Sequence, residues 1–131
     1  MKISMDDIRL MNALQQVTGV MPKDCLVEPT LISFFVPEQL MGKAIGKGAI
    51  NVKDLETKLK KRVEFVPFFE KPEDVFASSM EVNFTAVKKT PEKLVLNLDS
   101  ASRAKAFKNS SRIRRVREFI LRNYGLELII N

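Results

Sequence analysis

Two glycines on either side of a lysine form the segment of the sequence best suited to bind a phosphate group. They lie in the stretch AIGKGAINV at residues 44–52, between two runs with helical periodicity. Because glycine has no Cβ, a sugar-phosphate backbone can come close to the chain at Gly46 and Gly48. The free amides at the start of the second helix favour an anion, and Lys47 adds a positive charge. We therefore expect an anion-binding turn with apolar residues on either side.

Other glycine motifs that bind phosphates fit this segment poorly. A Walker loop has the spacing Gly-x-x-x-x-Gly-Lys, and Gly42 and Gly46 are one residue too close for it. A dinucleotide-binding fingerprint requires a further glycine where this chain has Asn51, and a strand directly before the turn. One structural alternative stays open: a plain connection between two helices, in which the glycines serve only the geometry of the turn.

Positive charge is concentrated in the second half of the sequence. The chain carries 22 Lys and Arg against 16 Asp and Glu, a net charge of +6, and residues 100–123 hold eight basic side chains and a single acidic one. A helix there would present Arg112, Arg115 and Arg122 on one stripe, which could contact phosphates without reading bases. The alternative is a solvated helix whose arginines only keep the protein soluble.

The composition excludes much catalytic chemistry. The chain has no histidine, which removes His metal ligands, a His general base and Ser-His nucleophile pairs. The sequence has no phosphate-hydrolysis motif and no convincing carboxylate pair, so we expect no enzymatic activity, catalytic residue, metal, cofactor or small-molecule substrate. A single cysteine, Cys25, favours a reducing, cytoplasmic environment. No apolar run approaches the length that spans a bilayer, so no membrane partner is expected.

The 131 residues divide into two halves with the same predicted order of elements. Apolar periodicity and turn residues predict helix, strand, strand, helix, turn, helix, strand in each half. Four apolar positions recur at a constant offset of 61 residues: Ile45 and Ala106, Val52 and Ile113, Leu55 and Val116, Leu59 and Ile120. A constant offset indicates two copies of one unit. We predict an α+β protein of two units, 1–69 and 70–131, each a small sheet with helices packed on one face.

Prolines and polar residues predict where several of these elements begin and end. Ser4 would cap the first helix, Pro37 would be the first residue of the second, and Pro67 would end the third strand. In the second half, strands are expected over 82–87 and 94–98.

The glycine turn and the element order together resemble a KH domain of type II. The stretch IGKGAINV at 45–52 looks like the Gly-x-x-Gly loop of that family, and two tandem copies in a short chain resemble the archaeal NusA-like transcription factors. The likeness covers nearly the whole chain. It implies binding of single-stranded RNA, about four nucleotides beside each loop, and a role in transcription elongation, termination or antitermination. RNA polymerase is a candidate second partner.

The turn chemistry and the resemblance together assign RNA-binding residues in both units. In the first unit, these are the loop at 46–49 and its flanks: Lys43, Ile45, Gly46, Lys47, Gly48, Ala49, Asn51, Val52 and Lys53. In the second unit, they are polar and basic residues of the matching region: Lys105, Lys108, Asn109, Arg112 and Arg115.

The sequence departs from the family pattern in both loops. Ala49 stands where the first loop should close on a glycine. The second loop aligns as residues 107–110, where both glycines are lost and Phe107 adds bulk. The degenerate second loop leaves another function class open. In that alternative, the chain is a protein-interaction adaptor whose basic helix docks on an acidic surface of the transcription or translation machinery.

Overall fold

The chain folds into two compact units in a computed structural model that describes residues 5–131. The first unit ends at Phe68 and the second begins at Phe69. Each unit contains three α-helices and one three-stranded sheet within the described residues, so the protein is α+β, as predicted. The predicted helix cap Ser4 lies outside the described residues.

The first unit follows the predicted order of elements, with short 3-10 turns at Glu38–Leu40 and Lys47–Ala49 on either side of its second helix. The bounds of its helices and strands are α1 Met5–Thr18, β1 Asp24–Val27, β2 Leu31–Pro37, α2 Met41–Ile45, α3 Ile50–Leu59 and β3 Arg62–Phe68. The central strand β2 pairs antiparallel with β1 and parallel with β3.

The core of the first unit lies between its sheet and its helices. Because side chains alternate along a strand, Ile32, Phe34 and Val36 share one face of β2. They belong to one buried apolar cluster with Leu14 of α1 and Leu55 of α3. Burial of this face holds α2 and α3 in place, and with them the turn that joins the two helices.

Two prolines of the first unit do not act as predicted. Pro37 does not begin a helix, because it is the last residue of β2, with an extended backbone (φ −49°, ψ 133°), and the α-helix starts only at Met41. Pro67 does not end β3, because it pairs with Val36 and the strand continues to Phe68. Because β3 is an edge strand, the backbone nitrogen of Pro67 can face away from β2, where no hydrogen-bond donor is needed.

The second unit repeats the element order and the sheet order of the first. Its elements are α4 Pro72–Met80, β4 Ala86–Lys89, β5 Lys93–Asn97, α5 Ser100–Phe107, α6 Ser110–Tyr124 and β6 Glu127–Ile130. The central strand β5 pairs antiparallel with β4 and parallel with β6. Buried apolar side chains from sheet and helices form its core: Val75, Phe76, Leu94, Leu96, Ile113, Val116, Phe119, Ile120 and Leu128. The repeated order predicted from the sequence is thus confirmed.

The first strand of the second unit begins four residues later than the predicted range 82–87 and ends two residues after it, at Lys89. It begins late because α4 ends in a hydrogen-bonded turn. Glu81 adopts a left-handed conformation (φ 55°) just after the helix. The amide of Val82 then donates to the carbonyl of Ala77 at 3.0 Å, so this residue closes the helix instead of joining the sheet. Strand β4 begins only at Ala86.

Candidate functional site

The loop between α2 and α3 contains three residues with positive φ among four. Gly46 has φ 77° and ψ 165°, Gly48 has φ 63° and ψ 24°, and Ala49 has φ 59° and ψ 29°. Residues other than glycine adopt such angles at a cost in free energy. The loop therefore makes a sharp corner for which two glycines are well suited and the alanine is not.

The two glycines serve different purposes in this corner. A Cβ added to Gly46 would lie 2.9 Å from Cγ of Asn51, which is too close for any side chain without rearrangement. The Asn51 side chain in turn donates from Nδ2 to the carbonyl of Lys43 at 3.1 Å and ties the start of α3 to α2. A Cβ added to Gly48 would meet nothing within 4 Å. Gly46 is thus required for packing inside the loop, whereas Gly48 borders open space.

The N-terminus of α3 is uncapped by side chains, unlike the matching helix of the second unit. No side chain among the described residues accepts a hydrogen bond from the first amides of α3. At α6, by contrast, Asn109 Oδ1 accepts from the amide of Arg112 at 3.2 Å. The amides of Ala49 and Ile50 donate to the carbonyls of Gly46 and Lys47 within the turn, so backbone bonds take the place of a side-chain cap at the start of α3. The positive end of the α3 dipole lies at this corner.

Three exposed lysines belong to the elements that meet at this corner: Lys43 on α2, Lys47 in the loop and Lys53 on α3. The end of the Lys43 side chain lies close to Gly19, 3.3 Å from where a Cβ on that glycine would be. Together with the dipole of α3, the three lysines give this part of the unit a positive potential that suits a phosphate group.

The apolar residues beside the corner differ in how far they are exposed. Ile45 and Val52 are only partly exposed and pack against the core cluster, so they support the loop from below. Ile50, which sequence reasoning did not place in the site, exposes 55% of its surface at the first turn of α3. A signal for it existed: Ile50 and Val52 are separated by about 200° around the helix, so the buried stripe cannot include both.

The second unit does not reproduce the corner at residues 107–110. Lys108 and Asn109 have negative φ (−65° and −122°), and no residue of this connection has a positive φ. The Asn109 side chain is engaged as the cap of α6, accepting from the amide of Arg112 and from the hydroxyl of Ser111. The loss of both glycines therefore coincides with a different backbone path and a closed helix N-terminus.

The basic helix α6 turns one of its predicted phosphate contacts inward. Arg115 is only 7% exposed and cannot lie on an open cationic face, so its assignment as a phosphate contact is wrong. Arg115 is buried because it lies on the side of α6 that faces the core. Phe119, one turn later on that side, is fully buried, and Arg112 and Arg122 on the same side are half-buried. The exposed cations of the segment 100–123 are Arg103, Lys105, Lys108, Arg114 and Arg117.

Tyr124 is the ionisable group whose protonation the fold perturbs most clearly among the described residues. Its hydroxyl donates to the carbonyl of Phe69. Burial raises the pKa of Tyr124 well above its usual range, and the negative charge of Glu70 raises it further. The side chain stays neutral at physiological pH and fastens the end of α6 to the beginning of the unit.

Neither a metal cluster nor a transmembrane helix is found in the described part of the chain. No three Cys, Asp or Glu side chains within residues 5–131 come close enough to hold a metal ion. No helix in this range combines the length and apolar character needed to cross a bilayer.

The comparisons with known proteins concern an α+β chain in which a cationic glycine corner lies between two helices. No protein-family model matches it. Over 67 residues it is 30% identical to the probable transcription termination protein NusA of Methanocaldococcus jannaschii, a stretch that spans 51% of this chain and 37% of that protein. The crystal structure of APE1850 has the same fold, with a TM-score of 0.84, 22% sequence identity, and coverage of 98% of this chain and 100% of that one. The partial sequence match supports a NusA-like relationship.

Proposed function

We propose that this chain is a non-enzymatic protein of transcription that binds single-stranded RNA and is built of two tandem type II KH units, 1–69 and 70–131. The first unit holds the RNA at its loop 46–49. The observation that carries the proposal is the open space at Gly48 beside the uncapped start of α3. A nucleic acid backbone can come close to a turn of this kind, because the turn is positive and has no side chain at Gly48.

The topology of both units supports the KH assignment. In each unit, a helix and an antiparallel strand pair are followed by two helices and a final strand that lies parallel to the central one. This is the order that type II KH units are expected to have, with the glycine loop between the two adjacent helices. The relative described as a probable transcription termination protein supports the choice of transcription as the process, with RNA polymerase as a candidate partner and the cytoplasm as the location.

The corner contacts RNA by three kinds of interaction. A phosphate lies against Gly48, at the positive end of the α3 dipole. The ammonium groups of Lys43, Lys47 and Lys53 neutralise this phosphate and its neighbours, which releases counterions and makes binding depend on salt. The exposed side chain of Ile50 offers an apolar surface to an unstacked base next to the bound phosphate.

The substitution Gly48→Asp tests the proposal with Gly125→Asp as its matched control. Both glycines have a similar positive φ (63° and 69°) and open space at the Cβ position, so the two variants carry similar strain and the same charge change. Titration of a short single-stranded RNA at fixed salt should show an affinity lower by about tenfold or more for Gly48→Asp, equivalent to about 1.4 kcal/mol, and near wild type for Gly125→Asp. Equal affinities for both variants would contradict the role of the loop. Gly46→Asp is less informative, because its Cβ would displace Asn51.

The adaptor function remains a second candidate because the second unit lacks the glycine corner and caps its helix with Asn109. In that case the exposed cations of α5 and α6 dock on an acidic protein surface. Affinity capture from cell extract with and without nuclease separates the two. Partners that persist after nuclease treatment support the adaptor, and partners that disappear support bridging by RNA.

A further inference from the structure

The aromatic side chain of Phe107 is exposed to solvent where α5 ends, just before α6. Phe107, the last residue of α5, exposes 50% of its surface. Phe76 and Phe119 of the same unit are fully buried. Other large apolar side chains in the described part of the chain are also exposed, such as Ile50 and Leu121, but Phe107 is the aromatic one among them, and only an aromatic ring can stack on a base.

The ring has one cation and one small residue on its own helix face, and a second cation follows it in the sequence. Arg103 and Ala104 are four and three residues before Phe107 in α5, Lys108 directly follows it, and all three are exposed. Arg103 and Ala104 therefore lie one turn below Phe107 on its own face, and Ala104 does not cover it. No acidic residue occurs from position 100 to position 117. The carboxylate of Glu81 lies 3.7 Å from the ammonium of Lys105 on α5, and Arg103 and Lys108 beside Phe107 have no such ion pair within residues 5–131.

The same position has the opposite character in the first unit. Gly46 corresponds to Phe107 at the offset of 61 residues, and a Cβ there would collide with Asn51. In the second unit the backbone follows a different path, the amides of α6 are capped by Asn109, and the side chain points into solvent instead. The second unit therefore lacks the glycine corner, but it does offer an exposed aromatic ring close in sequence to two exposed cations.

We infer that Phe107 is a stacking platform for one unpaired base of single-stranded RNA, flanked by phosphate contacts from Arg103 and Lys108. Stacking on an aromatic ring tolerates any base, because every base has a π-face, and the two cations neutralise the phosphates on either side. The inference rests on the proposed RNA-binding function and gives the second unit a mode of contact that does not depend on the loop 46–49.

The substitution Phe107→Trp provides a direct reporter, because the chain contains no tryptophan of its own. Stacking of a base on the new indole quenches its fluorescence, so oligoadenylate RNA should quench it strongly. An abasic RNA of the same length, with phosphates and no bases, should not. Leu121→Trp is the matched control, since Leu121 is 48% exposed on α6 of the same unit. Its fluorescence should not respond to either RNA. Absence of base-dependent quenching in Phe107→Trp, at RNA concentrations that saturate the protein, overturns the inference.

Affinity measurements separate stacking from simple apolar contact. Phe107→Ala should lower the affinity for oligoadenylate by at least about fivefold, Phe107→Leu should lower it similarly, and Phe107→Tyr should retain it. A Phe107→Leu variant that binds as well as wild type overturns stacking, because leucine keeps the apolar contact and loses the ring. Single-stranded DNA of the same sequence shows the same Phe107 dependence if only stacking and phosphates are involved.

The failure of this inference can be told apart from the failure of the proposed function. If Gly48→Asp weakens RNA binding and the Phe107 variants do not, the loop is a site and the stacking platform is refuted. If the Phe107 variants weaken binding and Gly48→Asp does not, the platform stands and the loop is refuted. If the wild-type chain binds no single-stranded nucleic acid, both are refuted.

Discussion

Replacing Ala49 by glycine should make the protein more stable. Ala49 is held at φ 59° and ψ 29°, in the left-handed region. That region costs a residue with a Cβ roughly 1–2 kcal/mol. Glycine is free of this cost but loses about 0.5–1 kcal/mol more in backbone entropy on folding than alanine does. The difference predicts a net gain in the free energy of unfolding on the order of 0.5–1 kcal/mol, measured by urea denaturation followed by far-UV circular dichroism.

Two further glycine substitutions calibrate this measurement. Lys60 closes α3 with nearly the same backbone angles (φ 58°, ψ 33°), so Lys60→Gly should also stabilise. Ala104 is exposed within α5, so Ala104→Gly should destabilise by about 1 kcal/mol. If Ala49→Gly destabilised the protein as Ala104→Gly does, Ala49 would not be left-handed and the loop geometry argued above would be wrong. RNA affinity should change by less than about twofold in Ala49→Gly, because the loop already holds the glycine conformation.

Two other predictions concern groups outside the corner. The raised pKa of Tyr124 means that its neutral form stabilises the fold at neutral pH and that this contribution is lost as the pH rises above about 10, the pKa of an unperturbed tyrosine. Tyr124→Phe leaves the Phe69 carbonyl without this donor and should lower the free energy of unfolding by about 1 kcal/mol at pH 7. In urea denaturation, the variant should lose less stability than wild type between pH 8 and pH 11. An identical pH dependence in both proteins would contradict the burial of the phenol. Arg115→Gln should destabilise by about 2 kcal/mol because Arg115 is buried. Arg114→Gln, at an exposed position, should change stability by less than about 0.5 kcal/mol and should reduce the dependence of RNA affinity on salt if α6 contacts phosphates. The reverse pattern would contradict the orientation of α6.

Local sequence signals were sufficient to predict most elements of the fold. Gly19 and Gly125, both with positive φ, end α1 and α6 where the apolar periodicity stops. Asp99 caps α5 through a bond from the amide of Ser102, as its residue type suggested. Pro67 shows the limit of such signals, because a proline ends a central strand but not an edge strand, and which strand is at the edge depends on the pairing of the whole sheet.

The candidate site was predictable in its residue types but not in its geometry. Two glycines and a lysine between helices indicate an anion-binding turn, and the structure brings them together. The collision that makes Gly46 necessary depends on where Asn51 lies in space, and the left-handed angle of Ala49 depends on the path of the chain. The burial of Arg115 could have been foreseen, since Phe119 follows it on the same row of α6 and marks that row as facing the core.

The position of the corner along the chain has a consequence for how the first unit folds and opens. It lies near the middle of the connection that joins the parallel strands β2 and β3, from Pro37 to Arg62. Closing a connection of this length costs chain entropy before the parallel pair can form, so β2 and β3 should join later in folding than the hairpin of β1 and β2. RNA that bridges α2 and α3 at the corner would hold this connection closed. It should slow hydrogen exchange at the β3 amides of Glu64 and Val66, which alternate with Val63 and so point toward β2, although it touches neither residue.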